Sequence, residues 1–205
     1  MDLFPFSDAT YADQQEQSRL IDIELGLRTD EIERTISGED DRHTRYWIGL
    51  PTSALLTPYS EIRLMLSRLP DARKVVDLGA GYGRMGFVIA SHYPHVEFLG
   101  IEVVAERVLE GAAALRRFGA KGELREGDLT EMDLPDADTY FLYDYGSQSA
   151  IEKTLNDLKE RALKHAVTVV GRGGATRSTI EKKHLWLSSV VEPEHFANFS
   201  IYRSA

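Results

Sequence analysis

The sequence contains no cysteine, and it has fewer basic than acidic side chains. Without cysteine there are no disulfides, no thiolate zinc sites and no cysteine nucleophiles. The 24 Lys and Arg against 33 Asp and Glu give a formal net charge of −9, which argues against a protein that grips nucleic-acid phosphates over its whole surface. A local basic patch is still compatible with this charge.

Long apolar runs are also missing. No segment reaches the roughly 18 consecutive apolar residues of a membrane-spanning helix, and the N-terminus lacks the basic start of a secretory signal. We therefore expect a soluble, cytoplasmic protein with no membrane partner. The histidines have no H-E-x-x-H spacing and no carboxylate cluster has metal-ligand spacing, so no metal site is predicted.

What is present is an ordinary globular composition, with 42% hydrophobic and 28% charged residues in a chain of 205. At roughly 100–200 residues per domain, this length predicts one compact domain. In its first part, apolar residues recur at helical spacing at Leu20, Ile23, Leu27, Ile32 and Ile36. We predict two short amphipathic helices there, breaks near 37–41 and 49–52, and a firmer helix over 53–69. Residues 1–69 would then form a helical cap on a core of residues 70–205.

From residue 74 onward, short apolar runs alternate with amphipathic stretches, which is typical of strand-helix units in a parallel α/β sheet. Strands are predicted over 74–78, 96–102, 124–126, 139–143 and 166–171. Helices are predicted over 83–93, 103–118 and 148–164. Two further strands, over 185–191 and 199–203, have no helix-length segment between them and predict a hairpin at the sheet edge.

A glycine-rich loop follows the first strand and opens into a helix, with the sequence Asp-Leu-Gly-Ala-Gly-Tyr-Gly at residues 77–83. Glycines let the backbone approach a ligand closely, and the helix N-terminus offers free N–H donors, so a nucleotide-like cofactor is predicted. Residues 81–86 also satisfy the dinucleotide pattern G-x-G-x-x-G, and Glu102 ends the next strand where a ribose-binding carboxylate belongs. A nicotinamide-dependent oxidoreductase is therefore an alternative at this point.

Two features favour a methyl donor. About 70 residues precede the loop, whereas dinucleotide folds usually start with it. In addition, Asp77, Gly79, Gly81 and Gly83, then Glu102, then Asp128 beyond the third strand resemble the class I, Rossmann-like S-adenosylmethionine-dependent methyltransferases. The resemblance covers roughly residues 57–203 and implies a three-layer fold with a seven-strand, mostly parallel sheet that ends in a reversed hairpin.

The resemblance also implies a cofactor site for S-adenosylmethionine. The residues Asp77, Gly79, Ala80, Gly81 and Gly83 would line its methionine half. Glu102 would accept hydrogen bonds from both ribose hydroxyls, Asp128 and Leu129 would lie at the adenine edge, and Tyr59 belongs to the cap that would close over the cofactor. Three alternatives stay open: Asp77 as an anchor of the loop, Glu102 as a solvated strand end, and Asp128 as a turn former.

The candidate catalytic residues, Tyr143, Asp144 and Tyr145, follow the fourth strand at the crevice of the sheet. For an amine acceptor, Asp144 would hold the nitrogen or help take its proton, and the two tyrosines, on the same side by strand alternation, would form an aromatic channel. The alternative is that one tyrosine packs in the core and Asp144 caps the following helix. The stretch lacks the Asn/Asp-Pro-Pro-Tyr/Phe tetrad, which argues against adenine or glutamine-amide acceptors.

A weaker likeness points to the acceptor. A lid formed by residues 46–69, the glycine loop and the strand end Gly100-Ile101-Glu102 are similar to seven-strand protein-lysine methyltransferases. We therefore predict transfer to a protein lysine amine, with a small molecule second and RNA third, and a non-catalytic S-adenosylmethionine-binding protein as another class. A basic stretch over 159–184 includes Arg172-Gly173-Gly174, interpreted as a flexible cationic loop that would meet an acidic peptide, a phosphate or a carboxylate.

Overall fold

The computed structural model describes residues 2–37 and 50–205. At its centre is a seven-stranded sheet in the order β3-β2-β1-β4-β5-β7-β6. The five strands β1 to β5 are parallel, while β7 runs antiparallel to both β5 and β6. The strands are β1 Lys74–Leu78, β2 Glu97–Glu102, β3 Glu123–Glu126, β4 Thr139–Leu142, β5 Thr168–Arg172, β6 Glu194–His195 and β7 Phe199–Arg203.

Helices cover both faces of this sheet, because its central strands are apolar on both sides. On one face, α4, α5 and α6 pack against Val75, Phe141 and Ile201, and on the other face α7 and α8 pack against Val76 and Leu142. The helices are α1 Tyr11–Glu24, α2 Thr29–Ile36, α3 Thr52–Leu55, α4 Tyr59–Ser67, α5 Arg84–His92, α6 Ala105–Phe118, α7 Gln148–Ala162 and α8 Gly174–Lys183. The predicted α/β class and the mostly parallel sheet with a reversed hairpin are confirmed.

The hairpin lies later in the chain than predicted. Residues 185–191 do not form a strand: they contain a 3-10 helix, Leu185–Leu187, and the strand that pairs with β7 is the two-residue β6. Helix α8, whose buried residues are Thr176, Thr179 and Ile180, is not predicted by the sequence pattern. A helix face made mostly of threonines gives little apolar periodicity, and the two glycines before it had suggested a loop.

The N-terminal helices differ from the prediction in what they bury. The inward residues of α1 are Gln15, Ser18 and Asp22, whereas Leu20 and Ile23, on which the apolar face was predicted, are 53% and 59% exposed. The predicted helix over 53–69 is divided into α3 and α4 by residues 56–58, since Pro58 has no N–H to continue α3. Most of the predicted break at 37–41, and the start of the predicted lid at 46–49, lie outside the described residues.

Polar contacts join α1 to the segment of α3 and α4 within the cap. The Gln15 side-chain amide donates to the carbonyls of Ser53 and Leu56 at 2.8 Å, and the hydroxyl of Ser18 accepts from the N–H of Tyr59 at 3.0 Å. The buried polar face of α1 is therefore satisfied by the backbone of the α3–α4 connection. Among residues 2–37 and 50–205, no helix has both the length and the apolarity needed to cross a membrane.

Candidate active site

A cavity of about 810 Å³ opens at the carboxyl ends of β1, β2 and β4. Parallel α/β sheets bind ligands at this edge, and a cavity of this size is in the ordinary range for a cofactor or drug-sized ligand. The core contributes the glycine loop, the end of β2 and residues 143–147. The opposite wall is formed by residues of the cap, which are Leu50, Ala54, Leu55, Leu56, Thr57 and Ile62.

The glycine loop turns sharply beneath this cavity. Gly79 has φ +86°, and a Cβ atom on it would lie 2.7 Å from the Cβ atom of Tyr145, so only glycine fits there. The N–H of Gly81 donates to Oε2 of Glu102 at 2.8 Å. Gly79, Ala80 and Gly81 line the cavity, whereas Gly83, in a left-handed conformation before α5, is not among the lining residues.

Glu102 lies at the end of β2 and is 5% exposed, so it is not a solvated strand end. Its Oε1 accepts the N–H groups of Val103 and Val104, each at 3.0 Å, and its Oε2 accepts from Gly81. These three bonds fix the carboxylate between the glycine loop and the start of α6. Glu102 thereby presents a charged, oriented acceptor to the cavity.

Asp77, the last but one residue of β1, is 4% exposed and lines the same cavity. Its Oδ1 atom is buried with no hydrogen-bond partner. Burial, with a further contribution from the negative charge of Glu102, raises the pKa of the Asp77 carboxyl to about 8. A buried carboxylate oxygen without a partner is strongly unfavourable by itself, and a cation in the cavity would remove that penalty.

Asp128 and Leu129 line the cavity beyond β3. The Oδ1 atom of Asp128 accepts both the N–H and the hydroxyl of Thr130, at 2.8 and 2.6 Å, which is the turn-forming geometry expected of aspartate at this point. Leu129 is 5% exposed and packs in the core. The side chains predicted at the adenine edge are thus brought to the cavity with Glu102.

The residues after β4 also line the cavity, but Tyr143 and Tyr145 point to different sides. Tyr143 packs with Phe141 on one face of the sheet, and Tyr145 packs with the apolar residues of the other face. The prediction that both tyrosines share a side was wrong because β4 ends at Leu142 and strand alternation does not extend to Tyr145. The Tyr145 hydroxyl donates to the carbonyl of Ala150 in α7 at 3.0 Å.

Tyr143 is surrounded by charge. Burial, together with the carboxylate of Asp77, raises the pKa of Tyr143 well above its usual value, so the phenol stays protonated.

Asp144 accepts the N–H groups of Ala175 and Thr176 at 3.2 and 2.8 Å and so holds the N-terminus of α8. A Cβ atom on Gly173 would lie 2.4 Å from the Asp144 carboxyl, so the backbone at Gly173 packs closely against Asp144.

The predicted flexible cationic loop was therefore a misinterpretation. Arg172 is the last residue of β5, and its guanidinium pairs with Glu61 of α4 at 3.0 Å and donates to the hydroxyl of Tyr11 at 2.8 Å. Arg177 donates to the carbonyl of Ala197, and Lys183 pairs with Glu152. These cations of the basic stretch serve contacts within the fold.

Two buried arginines at the cavity, Arg84 and Arg107, were not predicted from the sequence. Arg84, the first residue of α5, pairs with Asp22 of the cap at 2.5 Å and donates to the carbonyl of Thr57. Arg107 on α6 pairs with Glu33 of the cap through two hydrogen bonds, at 2.8 and 3.0 Å. The position of Arg84 directly after the last loop glycine is the one signal that could have pointed to it.

Tyr59 is fully buried and does not line the cavity. Its hydroxyl donates to Asp22 at 2.8 Å, and its ring lies 5.0 Å from the Arg84 guanidinium. Its contact with the cavity therefore runs through Arg84. Within the described ranges, no three His, Asp or Glu side chains are grouped so as to hold a metal ion.

The sheet order, the glycine loop and the acid at the end of β2 define an α/β protein with a nucleotide-type cofactor crevice. Residues 60–177 match the family described as methyltransferase small domain, and the chain belongs to this family. The prediction of a class I S-adenosylmethionine-dependent methyltransferase is confirmed, and the oxidoreductase alternative is not supported. No curated protein matches the chain.

Several solved structures share the fold. An RNA methyltransferase from Salinibacter ruber, in complex with S-adenosyl-L-homocysteine, has a TM-score of 0.51 at 21% identity, covering 72% of this chain and 91% of that one. The precorrin-6y C5,15-methyltransferase from Geobacter metallireducens has a TM-score of 0.50 at 19% identity, covering 73% of this chain and 87% of that one. The Pyrococcus abyssi tRNA (uracil-54, C5)-methyltransferase, also in complex with S-adenosyl-L-homocysteine, has a TM-score of 0.52 at 13% identity, covering 70% of this chain and 37% of that one. This chain thus spans about a third of that last enzyme's length, and identities this low show the fold alone.

Proposed function

We propose that the protein transfers a methyl group from S-adenosylmethionine to an amine nitrogen, with the side chain of a protein lysine as the acceptor. The observation that carries this proposal is the Asp77 side chain, which lines the same cavity as Glu102 and whose buried Oδ1 atom has no hydrogen-bond partner. The donor carries an ammonium and a sulfonium, and a positively charged partner is what the Asp77 carboxyl lacks.

The residues present fit the donor. Asp77 would hold the ammonium group of the donor's methionine part. Gly79 and Gly81 have no side chains and allow the donor to approach the loop backbone closely. The Glu102 carboxylate has its orientation fixed by three N–H donors, and Oε2, which accepts only one of them, keeps a lone pair for a ribose hydroxyl. Asp128 and Leu129 would lie beside the adenine. When bound, S-adenosylmethionine supplies an electrophilic methyl group on a positively charged sulfur.

The chain itself contributes position and charge. The Asp144 carboxylate is held by two N–H groups of α8, and its remaining lone pairs can accept an N–H of the acceptor amine. The ring of Tyr143, partly buried near Asp77, would stabilise the positive charge that develops on the nitrogen. Residues 54–57 of the cap limit the access of water to this part of the cavity.

The charge of the cavity supports an amine over a phosphate-bearing acceptor. Its charged lining residues are Asp77, Arg84, Glu102, Arg107, Asp128 and Asp144. Both arginines are already paired with buried carboxylates of the cap, and the predicted phosphate-binding Arg172 is paired with Glu61. The lining is therefore net acidic, which favours a cationic or neutral acceptor and disfavours a polyanion.

Methyl transfer from radiolabelled S-adenosylmethionine into a lysate of the source cells tests this proposal. We expect labelled protein that is sensitive to protease and resistant to nuclease, and methyllysine after acid hydrolysis. The matched control is Glu102→Ala, which should abolish labelling by weakening cofactor binding. Label in RNA or in the small-molecule fraction would overturn the lysine assignment, and a bound cofactor without any transfer would identify a non-catalytic binding protein.

A further inference from the structure

The cofactor site continues into the cap through a chain of three charged side chains. We infer that Glu33 of α2 and Arg107 of α6 are positioning residues for Glu102, so that the cap sets the affinity for the cofactor. This inference rests on the proposed function, because it takes Glu102 as the acceptor of the ribose hydroxyls. Glu102 and Arg107 lie close together, at the end of β2 and the start of α6, whereas Glu33 is 74 residues from Arg107 and is brought to it by the fold.

Arg107 stands at the centre of this chain. Its Nε and Nη2 atoms donate to the two oxygens of Glu33 at 2.8 and 3.0 Å, and its Nη1 atom lies 3.7 Å from Oε1 of Glu102. Arg107 and Glu33 are each 7% exposed at the side chain. A guanidinium held at two of its nitrogens by a planar carboxylate has little freedom, so its third nitrogen is fixed beside Glu102.

Arg107 matters to Glu102 because of the other charge nearby. Asp77 and Glu102 line one cavity, and the negative charge of Glu102 contributes to the raised pKa of Asp77. Arg107 places a positive charge on the side of Glu102 that faces α6, where it offsets this repulsion. Without Arg107, Asp77 and Glu102 would share the site as two buried carboxyl groups. Glu102 would keep only its three hydrogen bonds from backbone N–H groups.

Glu33 also reaches the glycine loop. The hydroxyl of Tyr82, which is fully buried, donates to Oε1 of Glu33 at 2.8 Å. Tyr82 is the residue after Gly81, whose N–H binds Glu102. One carboxylate of α2 therefore holds both neighbours of the Glu102 carboxylate, the loop through Tyr82 and α6 through Arg107.

The chain offers a matched control on the same helix. Arg28, just before α2, pairs with Glu110 of α6 at 2.6 Å, and its backbone N–H donates to the same carboxylate at 3.0 Å. This pair joins the cap to α6 one turn from Arg107, but neither residue lines the cavity. Removing it weakens the attachment of the cap without touching Glu102.

The experiment measures S-adenosylhomocysteine binding by calorimetry and thermal stability for the full chain. The variants are Glu33→Gln, Arg107→Gln, Arg107→Lys, the double variant Glu33→Gln/Arg107→Gln, and the control Glu110→Gln. We expect Glu33→Gln and Arg107→Gln each to weaken S-adenosylhomocysteine binding roughly tenfold or more. The control Glu110→Gln should lower the melting temperature and leave the dissociation constant unchanged. Arg107→Lys keeps the charge near Glu102 and should recover part of the loss.

Two further readouts separate positioning from a structural role. The double variant should bind about as weakly as either single variant, because both remove one coupled unit. In the transfer assay, KM for S-adenosylmethionine should rise while kcat changes little, since a ribose contact is made equally in the ground and transition states. If Arg107→Gln does not fold, Glu33→Gln and Arg107→Lys carry the same test.

The outcomes are distinguishable. Wild-type protein that does not bind S-adenosylhomocysteine would overturn the proposed function and this inference with it. Wild-type binding that is retained within about twofold in the folded Glu33 and Arg107 variants would overturn the inference alone, leaving the proposed function standing. The control Glu110→Gln could instead lose as much affinity as the Glu33 and Arg107 variants at the same loss of melting temperature. That result would assign Glu33 and Arg107 a purely structural role and would also overturn the inference.

Discussion

Asp77→Asn is expected to make the ligand-free protein more stable at neutral pH. The Asp77 carboxyl is buried, its Oδ1 atom has no partner, and its pKa is raised from 3.8 to about 8. A raised pKa means that the folded state favours the protonated acid. The corresponding stability is complete below pH 3.8 and is lost progressively as the pH rises through about 8.

The size of the effect follows from this pKa. Each pH unit between the unfolded and folded pKa values of Asp77 costs about 1.36 kcal/mol in the free energy of unfolding. With a pKa raised from 3.8 to about 8, the wild-type protein loses about 4 kcal/mol by pH 7 and about 6 kcal/mol above pH 8. Asparagine has nearly the same shape and carries no charge, but its buried amide leaves donors unsatisfied at about 1–3 kcal/mol. The net gain is then roughly 1–3 kcal/mol, which is about 2–12 °C in melting temperature for a chain of this size.

Thermal melts of Asp77→Asn and wild-type protein at pH 4.5, 7 and 8 measure this gain, with Asp71→Asn, at an exposed position, as the control. At pH 4.5, where ionisation costs wild type only about 1 kcal/mol, we expect Asp77→Asn to be no more stable than wild type. Its advantage should appear by pH 7 and grow toward pH 8, while the control stays flat. The same variant should bind S-adenosylhomocysteine more weakly, because the ammonium loses its partner. A variant less stable than wild type at every pH, or an advantage that shrinks toward pH 8, would refute the reasoning.

Three further substitutions test individual contacts. Gly79→Ala should lower the free energy of unfolding by about 1–3 kcal/mol in thermal melts. Gly79 has a positive φ, and a Cβ atom on it would lie 2.7 Å from a tyrosine side chain. The control Gly174→Ala, with open space around it, should be neutral. Tyr59→Phe should lose about 1–3 kcal/mol in denaturant titrations, because the buried Asp22 carboxylate loses a hydrogen bond. Asp144→Asn should lose about 1 kcal/mol at the N-terminus of α8 and most of the turnover, with cofactor affinity kept; full turnover would remove its catalytic role.

Much of the fold could be predicted from local patterns. The buried strands β1 and β4 are short apolar runs, and the glycine loop between β1 and α5 has few alternative conformations. The prediction failed where burial does not depend on apolar residues. Helix α8 buries two threonines, and α1 buries glutamine, serine and aspartate, so neither gives the apolar periodicity by which buried faces are found.

The candidate site could be predicted only in part, for a similar reason. Asp77 and Glu102 are found from their places at the ends of strands, which fix where their side chains lie. Arg84 and Arg107 are not, since their partners Asp22 and Glu33 are 62 and 74 residues away and belong to helices whose docking the sequence does not reveal. An isolated arginine on a helix is ordinarily solvated, and apart from the place of Arg84 directly after the last loop glycine, nothing local distinguishes these two.

The separation of these partners bears on the order in which the chain folds. The two carboxylates of the cap are synthesised first, but their counter-ions lie in α5 and α6. Until those helices exist, α1 and α2 would have to bury unpaired charge in order to pack, which is strongly unfavourable. We therefore expect nascent α1 and α2 to stay undocked on the ribosome until β1, β2 and their helices have been made, so that the first residues of the chain are among the last to reach their final contacts.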